Sequence, residues 1–321
     1  MRWGPLTHED APLLAGFWAA AGTGQSYTLD DVREQLSHHL IDLAEGTLAA
    51  RDGDRIAAVG YLPVRQSAEG GSHLMRLWGG VHPAYRGQGH GRRILDWAIA
   101  AAPRLSEKAF PGVPVEILIV GGEDDRRLAA LARATGFAAV RTFAEMTRSL
   151  PDDLPPLSLP EGIAVATWSP ELDDEARRVR NESFRDHWGT VPHTRESWSG
   201  HLTGSHNFRP ESSFLALAGD RAVGVLMTHA RGPHTAWIQV VGTLREWRGR
   251  GVAGALIAHA LAAFARQGYL SAGLGVDLGN PTGAVRVYTR SGFTITRRDT
   301  NYVLHLVQGE TRDEATVAVH E

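Results

Sequence analysis

Apolar residues recur at helical spacing between positions 251 and 268. Val252, Leu256, Ile257, Leu261 and Phe264 fall on one face of GVAGALIAHALAAFARQG, and Gly268 supplies a stop. An apolar segment, WIQVVG (237–242), precedes this helix and reads as a strand. Between them lies REWRGRGVAG (245–254), where three arginines and three glycines crowd into ten residues. Two further apolar runs, IAAVGYLPVR (56–65) and AVGVLMTHAR (222–231), each follow a Gly-Asp-Arg turn and read as strands. DAPLLAGFWAAA (10–21) and LDDEARRVRNESF (172–184) read as helices. GRRILDWAIAAAP is a further helix, expected to end at Pro103.

These elements occur twice in the same order. RGQGHG (86–91) matches RGRGVA (248–253), 162 residues on. GDR (53–55) matches GDR (219–221), and TGF (135–137) matches SGF (291–293). Such a long period excludes a solenoid and indicates two copies of one domain. The proline-rich stretch SLPDDLPPLSLPEG (149–162) separates them. The expected organisation is an N-terminal domain over 1–150, a linker over 151–160 and a C-terminal domain over 161–321. The fold class is α/β (α+β), two similar domains in tandem.

Composition narrows the chemistry. Cysteine is absent from the 321 residues, which removes disulfides, thiolate metal sites and a cysteine nucleophile. No HExxH-like histidine spacing suggests a metal site. The single lysine, Lys108, follows Glu107, so no Gly-Lys-Ser/Thr phosphate loop exists. A net charge of −3 without a basic tail argues against a nucleic-acid partner. No run of eighteen apolar residues implies a membrane span, and the N-terminus lacks the apolar core of a signal peptide. A cytoplasmic location is the default expectation.

The arginine-glycine loop has a physical reading. A strand-to-helix loop offers unpaired N–H groups and the positive end of a helix dipole, which together attract an anion. Glycine permits positive φ and close approach. Both copies keep an arginine and two small residues: Arg86, Gly89 and Gly91 in the first, Arg248, Gly251 and Ala253 in the second. A phosphate or pyrophosphate is the expected occupant. Residues 249–254 also fit the Gly-x-Gly-x-x-Gly dinucleotide fingerprint, but the first copy breaks it at Arg92.

VHPAYRGQGHGRRIL (81–95) and VGTLREWRGRGVAGALIAHAL (241–261) resemble the coenzyme A loop of the GCN5-related N-acetyltransferases, the GNAT superfamily. The order of elements in both copies is similar to that family's, so the resemblance covers most of the chain. It implies two tandem domains, each with a mixed, mostly antiparallel sheet flanked by helices, and acetyl-CoA as co-substrate. It implies that the loops, Arg86, Gly87, Gly89 and Gly91 and again Arg248, Gly249, Arg250, Gly251 and Ala253, hold the pyrophosphate. It further implies that a backbone N–H between Val241 and Thr243 meets the thioester carbonyl.

A second motif, LGVDLGNPTGAVRVYTRSGF (274–293), stands in one copy only. Asn280 suits a helix N-cap, Pro281 a first helical residue and Gly292 a C-terminal stop, so a helix is expected from about Pro281 to Ser291. The resemblance assigns Asn280 to cofactor contact and makes Tyr288 the acid that protonates the leaving thiolate. In the first copy the matching positions are Asp124 and Ala132, so that copy is expected to be catalytically degenerate.

The implied reaction is direct attack of a small-molecule primary amine on acetyl-CoA in a ternary complex. Relatives commonly carry a basic carboxylate on the strand before the loop, where this chain has Gln239. Glu182, Asp186 and His187 are candidates in its place, with Trp188 as a stacking surface and His229 and His234 behind them. Three other readings stay open: a non-catalytic acyl-CoA sensor or scaffold, an aminoacyl transferase using charged tRNA, and a nicotinamide enzyme.

Overall fold

The computed structural model describes residues 1–21, 27–64, 68, 71–150, 154–280 and 282–306. The N-terminal half contains strands β1 (Arg2–Gly4), β2 (Thr47–Asp52), β3 (Arg55–Tyr61), β4 (His73–Arg76), β5 (Trp78–Val81), β6 (Val115–Gly122) and β7 (Ala138–Ser149). Its helices are α1 (Ala11–Ala21), α2 (Leu29–Leu36), α3 (His90–Ala109) and α4 (Arg126–Ala134). The C-terminal half contains β8 (Ala164–Thr167), β9 (Phe214–Ala218), β10 (Arg221–Ala230), β11 (Thr235–Thr243), β12 (Ser271–Asp277) and β13 (Thr294–Leu306). Its helices are α5 (Asp173–Ser183), the single turn α6 (Arg195–Trp198), α7 (Val252–Arg266) and α8 (Ala284–Arg290).

The helical spacing seen in sequence is realised in α7. Val252, Leu256, Ile257, Leu261 and Phe264 are all buried against the β9–β11 sheet. Full burial of each such side chain stabilises by roughly 2 kcal/mol. α3 departs from expectation, because it runs through Pro103 to Ala109. Ala98, Ala101, Ala102 and Leu105 are buried on both sides of the proline. That packing outweighs the helix-interior cost of a proline, about 3 kcal/mol. The strand expected over 56–65 ends at Tyr61; residues 62–64 carry no strand, and Arg65 lies outside the described residues.

The strands are not sorted by half. One sheet has the order β1-β2-β3-β5 and the other β4-β6-β13-β7-β12-β11-β10-β9-β8. The last described strand, β13, lies between β6 and β7 of the N-terminal half. In exchange β7 pairs with β12 of the C-terminal half. Among the described strands only β11–β12 and β4–β6 run parallel.

Both parallel pairs come apart. β11 and β12 pair from Thr235–Ser271 to Ile238–Leu274, yet the strands continue to Thr243 and Asp277 without further pairing. In the N-terminal half the same separation splits one strand into two: β4 stays with β6 while β5 joins β3. A wedge therefore opens in each half next to the arginine-glycine loop.

Candidate active site

The wedge between β11 and β12 opens into a cleft of about 790 Å³. One wall is the arginine-glycine loop. Gly249 and Gly251 take φ of 75° and 87°, and Gly87 and Gly89 take 81° and 82° in the other copy. A Cβ added at Gly87, Gly89 or Gly249 would meet nothing within 4 Å, so backbone conformation and open approach, not packing, require glycine there. The first bond into α7 runs from the N–H of Ala255 to the carbonyl of Gly251, at 3.0 Å. The N–H groups of Val252, Ala253 and Gly254 precede it and are unpaired by helix geometry, and these three residues line the cleft. Thr243 lines it too, and its hydroxyl is buried without a hydrogen-bond partner. Unpaired donors, a helix N-terminus and an orphaned hydroxyl suit a pyrophosphate and its attached chain.

The arginines divide their work. Arg248 donates through Nε to the carbonyl of Thr243 (3.3 Å) and through Nη2 to that of Ser183 (2.9 Å). It ties the loop to the end of β11 and the last turn of α5 while lining the cleft. Arg86 makes the matching bond to Val81, at 3.3 Å. Arg250 sits over the Trp247 ring at 4.8 Å, outside the residues that line the cleft. Arg245 and Arg290, not singled out in sequence, do line it.

Val241 and Tyr288 border the same cleft. Tyr288 lies on α8 and is 9% exposed, and burial pushes its phenol up to about 12. The helix ends as expected: Gly292 has φ 83° and the N–H of Phe293 bonds to the Tyr288 carbonyl at 3.1 Å. The first copy repeats this with Gly136 at φ 85° and Phe137 N–H on Ala132, at 2.9 Å. Tyr288 and Ala132 therefore occupy matching positions.

The start of α8 differs from expectation. The helix begins at Ala284 after Gly283, and Pro281 lies outside the described residues. Asn280 is not its cap, since its Oδ1 accepts from the N–H of Thr282 at 2.9 Å in a local turn. Asn280 nonetheless lines the cleft. Likewise Asp125, not Asp124, caps α4, accepting from Leu128 N–H at 2.9 Å.

The remaining wall brings together Asp186, His187, Trp188, Phe184 and Gln239 of the C-terminal half with Arg141 and Phe143 of β7. Gln239 occupies a bulge, where the β10–β11 register skips from Val240 to Ile238. Arg141 pairs with the buried Asp277 at 3.0 Å. Phe143 lies 6.3 Å from the His187 ring and 6.4 Å from that of Trp188. Glu182 is not among the lining residues, and its carboxylate pairs with Arg178 at 3.1 Å. His229 contacts the Leu202 carbonyl (3.2 Å) and the His234 carbonyl accepts from Leu270, so both belong to framework contacts outside the cleft. The N-terminal loop residues Arg86, Gly87, Gly89 and Gly91 are not among the residues that line this cleft.

Reading the sequence missed Arg141, Phe143 and Asp277. Nothing local marks them: β7 alternates like any strand, and its neighbours are set by the exchange of last strands. Asp277 alone left a trace, as a charge ending the apolar run LGV where the first copy has Gly121.

The family model for the acetyltransferase (GNAT) family matches residues 14–112 and 174–293. A mycothiol acetyltransferase of Streptomyces bingchenggensis is 31% identical over 88% of this chain and 97% of that protein. The crystal structure of a GCN5-related N-acetyltransferase from Sphaerobacter thermophilus superimposes with a TM-score of 0.77 at 25% identity, covering 95% of both chains. A tandem GNAT protein from the clavulanic acid biosynthesis pathway shares the fold, with a TM-score of 0.71 at 17% identity over 96% of this chain and 99% of that one. With a duplicated wedge, a loop of unpaired N–H groups in each half and these matches over most of its length, the chain belongs to the acetyltransferase (GNAT) family.

Proposed function

We propose that the chain transfers an acetyl group from acetyl-CoA to a primary amine of a small molecule, in the C-terminal cleft and by direct attack in a ternary complex. The observation that carries this reading is the opening of the unpaired loop donors and of Tyr288 onto one cleft. The N–H groups of Val252, Ala253 and Gly254 bind the pyrophosphate. The β11 segment from Val241 to Thr243, released from β12, faces the thioester and offers an N–H to its carbonyl oxygen, where negative charge develops. Tyr288 keeps its proton because burial raises its pKa, and it donates to the leaving sulfur as the carbon–sulfur bond breaks. The cleft holds both reactants together, which lowers the entropic part of the barrier.

The mycothiol acetyltransferase relatives make their acceptor the first amine to try. Transfer is measured as thiol release, and the chain contributes no cysteine background. Turnover of an amine with stoichiometric release of coenzyme A supports the reading. Binding of acetyl-CoA without turnover of any primary amine supports a non-catalytic sensor instead.

A further inference from the structure

Attack requires a neutral amine, and no β11 residue on the cleft carries a titratable side chain: the strand offers Ile238, Gln239, Val241, Gly242 and Thr243. Four cleft-lining groups remain that can hold a proton at their functional atoms: Asp186, His187, Asp277 and Tyr288. Asp277 is 2% exposed, with one oxygen on Arg141 and the other accepting from the N–H of Gly279 at 2.8 Å. A carboxylate with both oxygens so committed is held in framework contacts. Tyr288 is already protonated. Asp186 is exposed.

His187 differs from all three. Its Nδ1 lies 3.1 Å from the carbonyl of Trp188. A carbonyl only accepts, so in the neutral ring Nδ1 carries the proton and Nε2 the lone pair. The ring has two tilted aromatic neighbours, Phe184 at 5.4 Å and Phe143 at 6.3 Å between centroids, and its backbone N–H bonds to the Phe184 carbonyl at 2.8 Å. Phe143 comes from β7, so the N-terminal half helps orient this imidazole.

We propose that His187 is the general base of the C-terminal site, its tautomer fixed by the Trp188 carbonyl and its ring held by Phe143 of the other half. This rests on the transferase reading above. His187 Nε2 takes one proton from the ammonium form of the acceptor and passes it to solvent. The freed nitrogen lone pair forms the bond to the acetyl carbon. Collapse breaks the carbon–sulfur bond, Tyr288 gives its proton to the departing sulfur, and the nitrogen of the new amide returns a proton to the Tyr288 oxygen. The balance is one acetyl group moved and one proton released per turnover. The charged groups on the cleft are Asp186 on the loop of His187, Arg141 on β7, Asp277 on β12, Arg245 and Arg248 on the glycine loop and Arg290 on α8.

Two measurements test this. The first needs no acceptor: nitrogen-15 spectra of the labelled full chain, with His187 identified by its loss in His187→Gln. A neutral ring protonated on Nδ1 is expected, and one protonated on Nε2 overturns the assignment. The second uses the full chain with acetyl-CoA and whichever of D-glucosamine, tyramine or the mycothiol acetyltransferase acceptor it acetylates. His187→Gln should lower kcat/KM for the amine by about 10²-fold. It should leave acetyl-CoA affinity within about threefold and move the acidic limb of the pH profile to the range in which the acceptor amine itself loses its proton. Added imidazole should restore at least a tenth of the lost rate to His187→Gly, an effect that a packing role does not produce. An unchanged acidic limb in His187→Gln, or no rescue, overturns the proposal while leaving the transferase reading intact. Loss of acetyl-CoA binding in the unsubstituted chain would remove the transferase reading itself.

Discussion

Tyr288 is where chemistry and burial meet most directly. Its phenol is raised by desolvation to about 12, so the protonated, acid form persists through the whole neutral and mildly alkaline range. Two results follow. The rate should show no alkaline limb from Tyr288 below about pH 11, checked by kcat against pH with stability controls. Tyr288→Phe should lower kcat by about 10²-fold at unchanged acetyl-CoA affinity. At this scale the sequence was legible where a motif fixes local backbone. Gly292 closes the helix and places Tyr288, and Gly136 does the same for Ala132. It was not legible at Arg248, whose charge suggested an anion contact but whose donors hold backbone carbonyls. Nor was it legible at Glu182, whose partner Arg178 lies one helical turn away.

Among the elements, the two glycine loops and the helices behind them were readable because each rests on local rules: apolar spacing for α7, positive φ for Gly249 and Gly251. α3 was not, because burial of Ala98, Ala101 and Ala102 before Pro103 and of Leu105 after it is a tertiary effect that overrides local preference. Pro103→Ala should therefore stabilise the chain, by about 2 kcal/mol. It relieves a helix-interior cost of about 3 kcal/mol, less about 1 kcal/mol of added freedom in the unfolded chain. Denaturant unfolding measures this, and an unchanged or lower midpoint contradicts it. The contact between the α2 region and the 193–206 segment offers a second test. His38 sits 4.7 Å from His39 and 4.5 Å from His201 by ring centroids, with Glu34 as the nearby carboxylate. Burial, then the neighbouring His201 and His39, hold His38 at about 4 against 6.5 for the free side chain. Between those values the unfolded chain binds a proton that the folded chain refuses. Stability from this site is thus complete above about pH 6.5 and lost as pH falls toward 4. Tm should drop over that window, and His38→Asn should flatten the drop.

Across the whole molecule, the duplication was legible and the exchange of last strands was not. Repeated motifs reveal two copies, but no pattern within FAEMTRS says which copy's sheet receives it. The exchange matters for function, since β7 carries Arg141 and Phe143 into the C-terminal cleft. It also leaves β13 paired on both sides by strands of the N-terminal half. Residues 161–321 expressed alone should lack cooperative unfolding and acetyl transfer, read by circular dichroism and thiol release. A folded, active fragment would contradict this. The two wedges also differ in content. Where Ala284 and Val287 line the C-terminal cleft, the first copy has Leu128 and Leu131 at the matching positions. Leu128 packs over Gly121, the counterpart of Asp277, and Leu131 lies 3.3 Å from where a Cβ on Gly91 would be. Leucines thus take up space that the C-terminal half leaves open, and one acetyl-CoA per chain is expected.

The most direct test is a calorimetric titration of the full chain with acetyl-CoA, repeated on Gly251→Asp. Aspartate tolerates positive φ better than most residues and suits a helix N-cap, so the variant keeps its fold while setting a carboxylate against the pyrophosphate. The account predicts one site per chain and a loss of affinity of at least tenfold in the variant. No binding, two equivalent sites, or a variant that binds as tightly as the unsubstituted chain would contradict it.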